Sequence, residues 1–175
     1  MRHIIQLFLL TLLTFTSTPA AESVYLVIDG IEGEVVQKGR EGWVEVFGFN
    51  HEIVSPRDAA SGLPTGKRQH QPIRFVIPHG KTLPLLMRAL TQQTPVPKIA
   101  VNFFRLNQQG VETLYMKYEL TNASVVSVRP WMPNIKDPST REFGPQVEVA
   151  FVYHKIVWTF TDGGITHEDD WETPR

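Results

Sequence analysis

The sequence predicts one antiparallel β domain with a single helix and two long projecting loops. Three observations predict it. The stretch QVEVAFVYHKIVWTFTDG at residues 146–163 is the longest run of residues that suit a pleated, half-buried surface. Short apolar alternations recur along the chain between Gly-, Pro- and Asp-rich turns. Only one stretch, after residue 81, carries apolar residues at helical spacing.

In the organising run, Val147, Val149, Phe151 and Tyr153 share one face, and the apolar set then changes face to Ile156, Trp158 and Phe160. A strand has a period of two, so this switch predicts a bulge or bend near His154 and Lys155. A long bent strand with apolar residues on both faces suits a barrel or a tightly packed sandwich.

Residues 1–20 read as a secretory signal peptide. Arg2 and His3 make a basic start, residues 4–15 are largely apolar, and small or polar residues lead to Ala20. The apolar core is short for a membrane span, which needs roughly 20 residues. The alternative is an uncleaved anchor or a start further along, at Val24. From Ser23 onward Val24, Leu26 and Ile28 alternate, and Asp29-Gly30 ends the run with turn chemistry. Residues 33–42 form a polar, glycine-bearing loop. The next strand, residues 43–49, places Trp43, Phe47 and Phe49 on one side and Val44 and Val46 on the other.

Residues 50–72 are different: Pro56, Gly62, Pro64, Gly66 and Pro72 punctuate them, and large apolar side chains are few. A loop this long without a core pattern is either disordered or ordered against a neighbour. Ile73, Phe75 and Ile77 alternate as the next strand. The helix follows, with Thr82 as its hydroxyl cap, Pro84 in the first turn and Leu83, Leu86, Met87 and Leu90 as its apolar stripe. Pro95 and Pro97 stop it. Residues 99–106 and 113–121 are strands, the latter with Leu114, Met116, Tyr118 and Leu120 on one face and polar residues mainly on the other. Val125, Val126 and Val128 continue after Asn122. A second irregular stretch, residues 130–145, precedes the organising run, and the tail ends acidic at His167, Glu168, Asp169 and Asp170, either solvated or able to bind a hard cation. The total is about seven strands.

Composition limits the function. A chain of 175 residues supports one sizeable core, and a net charge of −1 argues against broad electrostatic binding to nucleic acid or acidic membranes. Having no cysteine removes disulfides, thiolate zinc sites and a cysteine nucleophile. No His pair stands at i, i+4 on the helix. Ser61-Gly62 lacks the nucleophile-elbow pattern, and residues 62–67 lack phosphate-loop spacing. His51 and His70 flank the long loop and are either surface residues or meet in space. The pattern assigns no general acid or base, and strands plus a long loop suit a protein that makes contacts.

Several segments then occur together and in order over residues 24–171: SVYLVIDGIEGE, REGWVEVFGFNHEIVSP, SGLPTGKRQHQPIRF, HGKTLPLLMRAL, YELTNASVVSV, MPNIKDPS and YHKIVWTFTDGGITHEDDW. This set resembles the Hcp (haemolysin-coregulated protein) family, the tube subunit of bacterial type VI secretion. The third segment is the most specific: Thr65, Gly66, Arg68, His70 and Pro72 fall on a Thr-Gly-x-Arg-x-His-x-Pro signature, and Lys155, Ile156 and Trp158 match on the organising run.

The resemblance implies a compact antiparallel β-barrel of two packed sheets with one helix and an extended loop, spanning residues 21–175 as a single domain. It implies a homo-hexamer whose rings stack into a hollow tube, with spike and sheath proteins and lumenal effectors as partners and with secretion as its destination. It brings no catalytic residue, cofactor or metal, no nucleic acid, and no membrane in the mature form. It places a subunit contact on the extended loop, at Val54, Ser55, Pro56, Arg57, Asp58, Gly62, Thr65, Gly66, Lys67, Arg68, His70 and Pro72. One feature departs from the family, whose tube subunits ordinarily lack a secretory signal. A working signal over residues 1–20 would send the protein to the periplasm, as an exported binding module or ring. A third reading, an enzyme on a β-barrel, would need a shared site such as His51 with His70.

Overall fold

Alternation decides where the core lies. In the computed structural model, which describes residues 22–171, the fully enclosed side chains include Leu26, Ile73, Phe75, Ile77, Val147, Val149, Phe151 and Ile156. These are residues that the period-two reading turned inward. Each such side chain contributes about 1.5–3 kcal/mol when removed from water. The expected signal peptide lies outside the described residues.

The strands in chain order are β1 (Ser23–Ile28), β2 (Val44–Val46), β3 (Gly48–Asn50), β4 (Ile53–Val54), β5 (Gln69–His70) and β6 (Ile73–Pro78). The helix α1 (Thr82–Thr91) follows, then β7 (Val96–Leu106), β8 (Glu112–Trp131), β9 (Gln146–Val152), β10 (Lys155–Phe160) and β11 (Ile165–Asp170). Nine strands share one antiparallel sheet with the path β2-β1-β7-β8-β9-β6-β3, and β10 and β11 branch from β8. The expected barrel is not a closed ladder: β2 and β3 are the two ends of the path. They are consecutive in the chain, joined by Phe47, whose N–H donates to the Val76 carbonyl at 2.7 Å.

This junction corrects the reading of residues 43–49 as one strand. Val44 and Val46 point into the core and Phe47, 55% exposed, points out in step with them, but the phase changes at Gly48 and Phe49 packs inward. The reason is that β2 answers to β1 and β3 answers to β6, so the two halves obey different registers.

The long strand β8 has 20 residues and links both layers. Its first half lies between β7 and β10, and its second half pairs with β9. Asn122, at φ 51°, and a register shift between Val125 and Ser127 turn it from one layer into the other. The organising run breaks where its faces switch, at Tyr153 and His154, so that β9 and β10 both follow β8 around its bend.

The helix packs on β8 with Leu86 fully buried. Thr82 is its first residue and not its cap: the hydroxyl donates to the Glu32 carbonyl at 3.3 Å. The Glu34 carboxylate, from the loop before β2, instead accepts the Lys81 N–H at 2.8 Å, a cap from a distant segment that local spacing cannot reveal.

Candidate assembly surface

The chain leaves β3 at Asn50 and returns at Ile73, so residues 51–72 form an arm rooted on one end of the β6–β9 pair. Short pieces of ladder build it. Ile53 pairs with His70, Val54 with Gln69, and Arg57 bridges Pro64. The Gln71 N–H donates to the Glu52 carbonyl at 3.0 Å and the Thr65 N–H to the Pro56 carbonyl at 3.0 Å. The disorder reading of this stretch therefore gives way to a narrow hairpin.

The tip turns on Asp58. Its Oδ1 accepts from Ala60 N at 3.2 Å, Ser61 N at 2.7 Å and the Ser61 hydroxyl at 2.7 Å, and these bonds from Ser61 hold the carboxyl below its usual range. Gly62 supplies the left-handed backbone, φ 69°, that closes the turn. Ser61 is thus a turn residue with its hydroxyl committed to Asp58.

The root of the arm is a buried polar cluster. Arg68 grips Asp169 of β11 through Nε and Nη2, and Nη2 also donates to the Asp170 carbonyl at 3.0 Å. His70 Nε2 lies 3.1 Å from Asp169 Oδ2, and His70 Nδ1 lies 2.8 Å from the Tyr153 hydroxyl. His51 Nε2 reaches the same hydroxyl at 2.6 Å. Trp171 Nε1 donates to the Tyr153 carbonyl at 2.6 Å and its ring stacks on His70. His51 stacks on Trp158, and Trp158 stacks in turn on His167.

Only 3% of the His70 side chain and 7% of the Asp169 side chain remain accessible, so the carboxylate survives burial through its partners. Burial would raise the Asp169 carboxyl, but hydrogen bonds from Arg68 and His70 outweigh it and hold the group below the carboxylate range. Burial first, and then the neighbouring His70, push His51 down to about 4, which leaves its ring neutral at pH 7. Burial, aided by the Asp169 charge, pushes the Tyr153 phenol up. The Tyr153 hydroxyl thus bridges His51 Nε2 and His70 Nδ1, and His70 Nε2 faces Asp169, so the four side chains form one continuous hydrogen-bonded chain.

Sequence reasoning left open whether His51 and His70 meet, and they do, across Tyr153. It took residues 167–170 as a solvated tail or a cation site. They are instead the strand β11, and Asp169 faces inward on Arg68 and His70. Tyr153 and Asp169 are the functional-site residues that sequence reasoning missed. Asp169 gave no signal because β11 has no apolar alternation. Tyr153 gave only the signal of a core position.

The arm residues divide accordingly. Val54, Ser55, Arg57, Asp58, Gly62, Thr65, Gly66 and Lys67 are exposed, while Pro56 and Pro72 are half-buried. Arg68 and His70 turn inward to the root. Three apolar side chains on the arm, Ile53, Val54 and Leu63, face solvent, Leu63 at 65%.

Comparison with known proteins fits this geometry. A family model described as "Type VI secretion system effector, Hcp" matches residues 25–160. The chain is 37% identical over 142 residues to the "Major exported protein" of Pseudomonas aeruginosa, covering 81% of this chain and 83% of that relative. A crystal structure of an Hcp protein superposes with a TM-score of 0.78 at 27% identity, over 88% of this chain and all (100%) of that one. A structure of the Hcp1 protein from the E. coli EAEC 042 pathovar, in mutant form, gives a TM-score of 0.73 at 31% identity, over 87% and 98% of the two chains. The signature on the arm, the inward Arg68 and His70 beneath it, and a family match running from β1 to the end of β10 agree: the chain belongs to the Hcp family of type VI secretion system effectors.

Proposed function

We propose that this protein is a non-enzymatic structural subunit of the type VI tube, six copies closing into a ring and rings stacking into a hollow conduit that carries effectors. Its single domain covers residues 21–175, and its partners are further copies of itself, the spike and sheath proteins, and cargo. The observation that carries this reading is the arm: a hairpin held rigidly at its root, with Ile53, Val54 and Leu63 turned out to solvent in the lone chain. Apolar side chains on a rigid projection fit a heterologous contact with another copy, the kind that closes rings. The contact lies on residues 54–72, with the exposed residues touching the neighbour and Arg68 and His70 holding the arm in position. The polar atoms of His51, Tyr153, His70 and Asp169 take one another as partners, which suits a clasp better than a catalytic site.

The test is the solution mass of residues 21–175 by light scattering, with negative-stain imaging of the same fractions, for the parent and for a variant lacking the outer part of the arm, residues 57–64, which keeps Arg68 and His70 on Asp169. The parent forms six-fold rings; the shortened chain stays folded and monomeric. Rings that persist without these residues remove them from the contact.

A second reading has one observation behind it, the apolar run at residues 4–15 after Arg2 and His3. If that run is a working signal, the same fold acts outside the cytoplasm as an exported module that does not feed a contractile machine. Sizing the chain recovered from a periplasmic extract separates the two, because only the second reading expects loss of about 20 residues at that location.

A further inference from the structure

The strands of the arm, β4 and β5, form a two-stranded sheet of their own. What fastens the arm between Asn50 and Ile73 is therefore its root: His51, Arg68 and His70 on the arm, and Tyr153, Asp169 and Trp171 on the body. At the centre of the root two imidazole nitrogens address one hydroxyl. His51 Nε2 lies 2.6 Å and His70 Nδ1 2.8 Å from the Tyr153 oxygen. A hydroxyl has one hydrogen to give, so it bridges two nitrogens only while one of them accepts. A protonated imidazole carries hydrogen on both nitrogens. With both rings protonated, both nitrogens donate to the Tyr153 oxygen, and its own hydrogen has no acceptor in the bridge.

Charge acts in the same direction. Around His51 stand His70 of β5, Tyr153 from the turn after β9, Trp158 of β10 with His167 of β11 stacked on its ring, and Glu52, an exposed neighbour in the chain. Beyond His70 lie Asp169 of β11 and Arg68. Arg68 and the Asp169 carboxylate offset each other, so each proton the two rings take up adds an unmatched positive charge beside buried groups.

We propose that the root is an acid-released latch: protonation of His51 and His70 breaks the Tyr153 bridge and frees the arm while the body stays folded. The device does not depend on what the arm touches in an assembly. In the closed root burial, and then His70, hold His51 neutral until about pH 4. In a released arm the ring faces water, where an imidazole titrates near about 6.5. Acid therefore favours release across the interval from about 6.5 to about 4, and the gain is complete at the lower end. Asp169 titrates below the carboxylate range, so it keeps its charge over this interval, which belongs to the rings. The body is held elsewhere by enclosed apolar side chains, Ile73, Phe75 and Ile77 on β6 against Val147, Val149 and Phe151 on β9, and none of these titrates.

Hydrogen exchange with mass analysis, corrected for the pH dependence of the intrinsic rate, reads arm and body in one full-length chain. Between about pH 6.5 and about pH 4 the opening equilibrium in peptides from residues 51–72 rises about 10–100-fold, allowing for the solvent that a half-buried ring already sees. Peptides from β9 keep their protection. In His51→Gln most of this pH dependence is lost, whatever the level of opening, and Asp169→Asn marks the level of an arm already released. The imidazole Cε1 protons, followed by nuclear magnetic resonance, give a second reading: His51 titrates near about 4 in the parent and moves back towards about 6.5 in Asp169→Asn. Arm protection that stays constant across the interval overturns the proposal. Loss of protection in the arm and β9 together means that acid unfolds the whole chain, which overturns it too. A slope that persists undiminished in His51→Gln puts the trigger on another group and refutes the latch as drawn.

Discussion

Replacing Tyr153 by Phe removes one oxygen and keeps the ring that Val149 and Phe151 lead up to on β9. That oxygen is the partner of both His70 Nδ1, at 2.8 Å, and His51 Nε2, at 2.6 Å. The His70 side chain is 3% accessible, so its orphaned nitrogen cannot turn to water, and a buried polar atom left without a partner costs about 1–3 kcal/mol. His51 is half-buried and recovers part of its loss from solvent. The sum is about 2–4 kcal/mol, and for a chain of this size each kcal/mol moves the melting temperature by about 2–4 °C, which gives a drop of about 5–15 °C. Differential scanning calorimetry measures the drop. Hydrogen exchange at the Gln71 amide, which bonds to Glu52 just above the cluster, reports whether the arm loosens with it. A melting temperature within about 1 °C of the parent would falsify the claim that this hydroxyl ties the two histidines down.

Three further outcomes follow from the same geometry. Asp169→Asn removes the charge that Arg68 and His70 share, so the arm detaches first, and trypsin cuts after Arg57 and Lys67 faster than in the parent; equal cutting rates would show that β11 does not hold the arm. His51 takes up its proton near pH 4 in the fold but near 6.5 when unfolded, so the unfolded chain binds more protons between those values and stability falls as the pH drops from about 6.5 to about 4. Urea titrations across that range show the slope, and it should shrink in His51→Gln. Phe75→Ala empties a fully enclosed site between Phe49 and Phe151 and costs about 3–5 kcal/mol in urea unfolding; a loss below about 1 kcal/mol would mean that the cavity collapses.

The core was legible in the sequence wherever one strand answers to one layer. Ile73, Phe75 and Ile77, and Val147, Val149 and Phe151, alternate because a single face of each is covered, and the change of face after Tyr153 foretold a real break. Legibility fails where the determining partner is remote. Phe47 keeps the outward phase that Val44 and Val46 set, but Phe49 turns inward with β3, so a single alternation drawn through residues 43–49 misplaces Phe49. Thr82 has the chemistry of a cap, yet Glu34 from another loop supplies the acceptor. The strands β4 and β5 have two residues each and β11 is largely polar, so no hydrophobic period marks them; backbone ladders and Arg68 hold them. The arm stood out as a compositional break, but its inner half, Arg68 and His70, pointed to Asp169 only once the chain was folded. Arg40 is a similar case: a loop arginine in the sequence, it is buried over the Phe104 ring at 3.7 Å and paired with Glu112 at 2.8 Å.

The seam at Phe47 has a consequence for how this chain can change length over evolution. Everywhere else a loop can gain or lose residues at little cost, because closure entropy grows slowly with length. The arm is the clearest case, since its tip touches nothing that counts residues. Between Val44 and Asn50 every residue counts. The stretch is registered at one end to β1 and at the other to β6, with one residue to spare between them. A single insertion there would either turn Phe49 out of the core or pull Val44 and Val46 from it, because neither neighbour can slide to absorb the step. Natural variation in length among chains of this shape should therefore collect at the arm tip, residues 58–63, and in residues 132–145, and the seven positions from 44 to 50 should keep their number even where every side chain in them has changed.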